Sequence, residues 1–148
     1  MIREFEQFHG FVLARLLHGS DRGVHIERYS PSSNAGYVVA GRVGLYVKHC
    51  SKRMTPWHFT FQPDHRREWT DMAEKLNQMF AVLICNDDGI VCLNAAELHL
   101  LLGPGTSAAW IKAARHAREM YEVTGSADDL DHKIGAGEFP AKVFETLR

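Results

Sequence analysis

The stretch GYVVAGRVGLYVKHC, residues 36–50, decides the fold of this chain. It holds two runs rich in β-branched and aromatic residues, 36–39 and 43–49, separated by a short link that contains Gly41. Gly41 can adopt the positive φ that a tight turn needs, so the pattern predicts an antiparallel hairpin. Side chains alternate between the two faces of a strand, which places Lys48 on one face with Gly44, Tyr46 and Cys50.

Helical and extended patterns alternate on both sides of this hairpin. Apolar residues at spacings of three and four indicate helices, whereas period-two alternation and short apolar runs indicate strands. The predicted elements are a helix at 2–18, strands at 24–29, 36–39 and 43–49, a short strand at 57–61, a helix from 63 and a strand at 81–86. Leaving the short strand aside, the expected order for residues 1–86 is α-β-β-β-α-β.

The C-terminal part contains further turn and cap signals. Asp88-Gly89 is typical of a two-residue hairpin turn, which would place Cys85 opposite Cys92. Asn94 and Glu97 have the spacing of a capping box at the start of a short helix. Two more strands are expected, around Trp110-Ile111 and over 120–123. We therefore expect a mixed α/β (α+β) fold in one domain, 1–148, in which residues 87–148 add a β-α-β-β extension.

Composition excludes several classes of protein. The 148 residues include 17 Lys and Arg, 18 Asp and Glu and 45% hydrophobic residues, which is typical of one globular domain. Three cysteines without paired spacing favour a reducing compartment. Acids at the N-terminus argue against a secretory signal, and no apolar run approaches the ~20 residues that span a membrane. We expect a cytoplasmic protein that does not enter the membrane.

The net charge of −1 hides an uneven distribution of charge. No acidic residue occurs from Arg28 to Pro63, and the five basic residues of that segment are Arg28, Arg42, Lys48, Lys52 and Arg53. Many of the balancing acids lie after residue 118. An anionic ligand responds to such a local block and not to the total.

The basic segment is also interleaved with aromatic residues. Positive charge attracts phosphate, and aromatic faces accept stacked bases, so the mixture indicates a surface for DNA or RNA. The predicted contacts are Arg42, Tyr46, Lys52, Arg53 and Trp57. The alternative is a solvated basic strand whose aromatic side chains belong to the core.

The expected element order and the segment from Gly44 to Lys48 resemble the PD-(D/E)XK nuclease superfamily. Its members place an acid near the start of the second core strand and an acid-x-lysine on the third. Lys48 matches that lysine, and Glu6 matches the acid that many members carry on the first helix. The resemblance implies a restriction-endonuclease-like core with Lys48 and Glu6 as catalytic residues. Segments that are also similar to a bacterial family of this type are Lys48–Arg53, Pro56–Phe61 and Cys85–Ile90.

Two acids of the superfamily pattern are replaced in this chain. Tyr46 stands at the acid-x-lysine acid, and Asn34 or Gly36 stands near the first acid. Catalysis in this superfamily would require Mg²⁺ or Mn²⁺, whose preferred ligands are carboxylate oxygens. Zinc is not expected, because no paired Cys or His spacing of the structural type occurs.

Two functions therefore remain open from the sequence. The chain is either a divergent nuclease acting on DNA or RNA, or the same fold without catalysis. In the second case it binds nucleic acid or serves as a protein-interaction module, with a protein partner or a second copy of itself.

Overall fold

The computed structural model describes residues 1–148 and shows a mixed α/β protein with two sheets. Its helices are α1 Glu4–His18, α2 Pro63–Lys75, α3 Ala95–Leu102 and α4 Glu138–Thr146. Its strands are β1 Ile26–Arg28, β2 Gly36–Val39, β3 Val43–Cys50, β4 Trp57–Phe61, β5 Gln78–Cys85, β6 Gly89–Asn94, β7 Ala109–Ala114 and β8 Glu122–Gly125. The expected α+β class is confirmed. None of the helices is both long enough and apolar enough to cross a membrane.

The first sheet contains five strands in the order β1-β2-β3-β5-β6. The hairpin of β2 and β3 is antiparallel, as expected, and both Ala40 (φ 53°) and Gly41 (φ 71°) take positive φ at its turn. β5 runs parallel to β3, from the pair Val43–Gln78 to the pair Cys50–Cys85. A parallel pair needs a crossover, and the segment with β4 and α2 supplies it.

The second sheet contains three antiparallel strands in the order β4-β7-β8. β4 lies between β3 and α2 in the sequence, yet it pairs with β7 through Trp57–Ala113 and Phe61–Ala109. β6, in turn, pairs with β5 and so belongs to the first sheet. Residues 87–148 therefore interleave with residues 1–86 and are not appended to them.

Two hydrophobic clusters cover opposite faces of the first sheet. One cluster joins Phe8, Val12 and Leu16 of α1, together with residues of α4, to the face of β3 that carries Val47. The other joins Tyr46 of β3 to α2, α3 and the inner face of the second sheet. The alternation expected along β3 is thus confirmed.

Two local predictions for the C-terminal part are wrong. The β5–β6 turn spans residues 86–88, because Asn86 takes positive φ (48°) and Cys85 pairs with Gly89. Cys92 lies opposite Val82 instead, so the two cysteines lie in different hydrophobic clusters. Burial raises the pKa of the Cys92 thiol to about 12, and the pKa of the Cys85 thiol is raised as well.

Other elements of this part match the sequence more closely. The capping box of α3 is confirmed: the Asn94 side chain accepts the backbone N–H of Glu97 at 2.8 Å, and Glu97 caps in return. The last strand occupies 122–125 and not 120–123. Helix α4 was not expected, since glycines and Pro140 surround its first turn.

Candidate functional site

Lys48 lies where the first sheet meets the second. Its side chain points away from α1, toward α2 and β4, as the alternation along β3 requires. The Lys48 Nζ lies 3.0 Å from Nδ1 of His65 and 4.9 Å from the centre of the Phe61 ring. The lysine singled out by the sequence therefore has specific partners, both far from it along the chain.

His65 belongs to the first turn of α2 and acts as a hydrogen-bond acceptor. Its Nδ1 accepts the backbone N–H of Gln62 at 3.1 Å as well as the Lys48 ammonium. Burial lowers the pKa of His65, and the neighbouring Lys48 charge lowers it further. The imidazole is thus held neutral, with its Nδ1 lone pair facing the lysine.

The Lys48 ammonium lies in a half-buried environment that opposes its charge. Burial lowers the pKa of Lys48 to about 8, although Asp64 and Glu68 on α2 partly offset this effect. The charged form therefore predominates at neutral pH, while a neutral amine becomes accessible in mild base. Such a group can hold an anion, and deprotonation near its pKa would release that anion.

Tyr46 lies two residues before Lys48, at the position where the resemblance predicts a carboxylate. Burial raises the pKa of its phenol strongly, and the adjacent Glu68 carboxylate raises it further. Glu68 is itself occupied, since it accepts a hydrogen bond from the Ser33 hydroxyl at 2.8 Å. A protonated phenol cannot supply the missing carboxylate oxygen.

Glu6, the second predicted catalytic residue, is not brought to Lys48. Helix α1 packs on the opposite face of the first sheet. The Glu6 carboxylate accepts the backbone N–H of Arg3 at 3.1 Å and lies 3.4 Å from the Arg3 Nε. The structure therefore places Glu6 in a helix-capping role, and the expectation that it acts beside Lys48 is corrected.

The residues present do not fit the divalent metal that the resemblance implies. No group of three His, Cys, Asp or Glu side chains is close enough to hold a metal ion. Near Lys48, the two carboxylates are those of Asp64 and Glu68, and Glu68 accepts a hydrogen bond from Ser33. We therefore derive no metal-dependent step at this site.

The residues predicted to contact nucleic acid divide into exposed basic residues and buried aromatic residues. Lys52 and Arg53 are exposed in the β3–β4 loop and form no ion pair, whereas the Arg42 guanidinium donates to the Leu147 carbonyl at 2.7 Å. Tyr46 and Trp57 are only 1% and 3% exposed and belong to the core. Those two rings cannot stack on a base, so this part of the sequence interpretation is corrected.

The second sheet exposes an aromatic residue that the sequence interpretation passed over. Trp110 of β7 is 42% exposed on the outer face of the second sheet. Its ring centre lies 6.4 Å from that of His58 on β4, and Lys112 lies opposite His58. The available signal was the predicted strand itself, because adjacent residues such as Trp110 and Ile111 point to opposite faces of a strand.

Comparisons with protein-family models, with curated proteins and with solved structures found no match.

Proposed function

We propose that this chain is a nucleic-acid-associated protein with a PD-(D/E)XK-like fold, a divergent phosphodiesterase that has lost metal-dependent cleavage. The observation that carries the proposal is the acid-free segment from residue 28 to 63, with Lys52 and Arg53 exposed and unpaired in the β3–β4 loop. Basic side chains without an ion-pair partner can contact phosphates without first breaking an ion pair. The protein therefore binds nucleic acid through charge at this loop.

The order and direction of the core strands support the resemblance on which the fold assignment rests. Helix α1 precedes three antiparallel strands, and α2 leads into β5, which is parallel to β3. Loss of cleavage is inferred from the residues around Lys48: its acidic neighbours are Asp64 and Glu68, Glu68 is hydrogen-bonded to Ser33, and no group of three potential ligands is close enough to hold a metal ion. Binding without cleavage is the function that remains.

A binding titration tests this function. Fluorescence anisotropy with labelled single-stranded and duplex DNA and RNA should give a dissociation constant that rises with salt. Reversing two charges in Lys52→Glu/Arg53→Glu should weaken binding by about tenfold or more. The matched control is Arg22→Glu, which changes an exposed basic residue in the turn after α1. Equal affinity of the wild type and the double variant for nucleic acid would contradict the proposed function.

The loss of cleavage is tested separately. The wild type should leave single-stranded and duplex substrates intact with Mg²⁺ or Mn²⁺ at high protein concentration. Cleavage that disappears in Lys48→Met would show that the site is still a nuclease. Cleavage that persists in Lys48→Met would indicate a contaminating enzyme.

A second candidate function is a protein-interaction module, including a homodimer. The observation that favours it is the outer side of α1, where Phe11 and Leu17 are 43% and 54% exposed. Self-association that is abolished by Phe11→Glu, together with no nucleic-acid binding, would support this function instead.

A further inference from the structure

The second sheet has one buried face and one open face. Its inner side chains, among them Phe59 and Ile111, are buried in the cluster that fills the space between the two sheets. On the outer face, His58, Thr60 and Trp110 are exposed, and no helix or loop covers Trp110. Aromatic residues such as tryptophan are enriched at contact sites relative to the rest of the protein surface.

Trp110 is held in place by its backbone. Its N–H donates to the Ser126 hydroxyl at 3.1 Å, and its carbonyl accepts the N–H of Ser126 at 3.0 Å. On the other side, Trp110 is paired with Thr60 of β4. The indole N–H has no partner in the protein. The ring is therefore presented on a rigid strand, and it needs little ordering to accept a flat ligand.

Basic residues lie close to the ring. Lys112 of β7 lies between His58 of β4 and Thr124 of β8, and the loop with Lys52 and Arg53 leads into β4. Thr55 of the same loop accepts the backbone N–H of Arg115 at 3.2 Å, which joins the loop to the end of β7. The β8 side carries charges of both signs, with Glu122, Asp129 and Asp131 beside His132 and Lys133.

We propose that the outer face of the second sheet binds single-stranded nucleic acid, with a base stacked on Trp110 and the phosphates directed toward Lys112 and the β3–β4 loop. This inference rests on the proposed nucleic-acid function and specifies its ligand and its aromatic contact. Bases of a single strand have free faces, whereas those of a duplex are stacked on one another.

The test compares ligands and variants by anisotropy. Oligo(dT) and oligo(U) serve as single-stranded probes, and a DNA hairpin of equal length serves as the duplex probe. The wild type should bind the single strands more tightly than the hairpin. Trp110→Ala should weaken single-strand binding by about tenfold, as expected for the loss of one base stack, and Trp110→Phe should retain most of it. The control Leu100→Ala removes an apolar residue of similar exposure (44%) from α3 and should change nothing.

Tryptophan fluorescence adds a readout that a structural role would not change. Trp57 and Trp69 are buried, so quenching by oligo(dT) should come from Trp110 and should vanish in Trp110→Phe. Quenching that persists in Trp110→Phe would overturn the proposal. Circular dichroism and unfolding of each variant establish that the fold is retained.

The outcomes distinguish failure of this inference from failure of the proposed nucleic-acid-binding function. If Trp110→Ala binds like the wild type while Lys52→Glu/Arg53→Glu binds weakly, the stacking face is wrong and the nucleic-acid function stands. Tighter binding of the hairpin, unaffected by Trp110→Ala, leads to the same conclusion. If the wild type binds no polynucleotide, both proposals fail. Loss of self-association in Trp110→Ala would then assign this face to a contact between copies of the chain.

Discussion

The two sheets differ in strand direction and in how much of their surface is covered. Seven of the eight residues of β5, in the first sheet, are buried, because helices and the second sheet cover both faces. In β4, of the second sheet, buried and exposed residues alternate strictly. Parallel pairing goes with coverage on both faces, whereas an antiparallel sheet can leave one face in water. The first sheet is therefore the scaffold, and the second sheet carries the accessible chemistry.

The largest expected effect measures how unequal these environments are. Leu83 of β5 is fully buried between the sheets, so Leu83→Ala should lower the free energy of unfolding by about 3 kcal/mol. Thr60→Ala, on the open face of β4, should change it by less than about 0.5 kcal/mol. Urea denaturation of both variants measures the difference. Similar losses in the two variants would mean that the outer face is covered in solution.

A smaller effect is the loss of stability in acid caused by His9, which lies between α1 and the first sheet. Burial against β2 and β3, and then the neighbouring His49, lower the pKa of His9 to about 4. The unfolded chain takes up this proton near the ordinary pKa of 6.5, so stability should fall as the pH falls from about 6.5 to 4. The loss should be roughly 2 kcal/mol, because the buried imidazole keeps a hydrogen bond to the Tyr37 hydroxyl at 2.7 Å.

The comparison with His9→Gln isolates this contribution. Urea denaturation at several pH values should give a shallower acid dependence for His9→Gln than for the wild type, even if the variant is less stable overall. Parallel pH curves for the two proteins would show that His9 is solvated and that α1 is not tightly packed on the sheet.

The smallest expected change in stability is that of Lys48→Met, at the boundary between the sheets. Lys48 has a pKa of about 8 in the folded protein and an ordinary one of 10.5 in the unfolded chain, so wild-type stability should rise as the pH increases from about 8 to 10.5. Lys48→Met removes this buried charge together with the bond to His65. We expect its stability near pH 7 to equal that of the wild type or exceed it by about 1 kcal/mol. A loss of more than about 2 kcal/mol in denaturation would show that the Lys48–His65 bond anchors the two sheets.

Local patterns predicted the parts of the fold that depend on neighbours in the sequence. Gly41 fixed the β2–β3 hairpin, and the spacing of Asn94 and Glu97 located the start of α3. The predicted position of the turn after β5 was wrong. Asn86, which precedes Asp87 and Asp88, takes positive φ and begins the turn. The register then differs from the two-residue hairpin, and Cys85 and Cys92 point to opposite faces.

Partners distant in the sequence could not be predicted in this way. Lys48 meets His65 only because the β4–α2 crossover returns the chain to β3. Trp57 and Tyr46 carry the same aromatic signal as Trp110, and only the packing of one sheet on the other decides which ring is exposed. Burial therefore determined which aromatic residues can contact a ligand.

The pairing of β4 with β7 also has a consequence for how the chain folds during synthesis. Trp57, Phe59 and Phe61 leave the ribosome well before Ala109–Ala113, the residues that hydrogen-bond to them. Until β7 emerges, β4 is an unpaired apolar edge that can pair with another chain. Chain closure over such a distance also slows folding relative to proteins with local contacts. Release of a nascent chain that ends before residue 109 should therefore yield an aggregating fragment and not a smaller folded core.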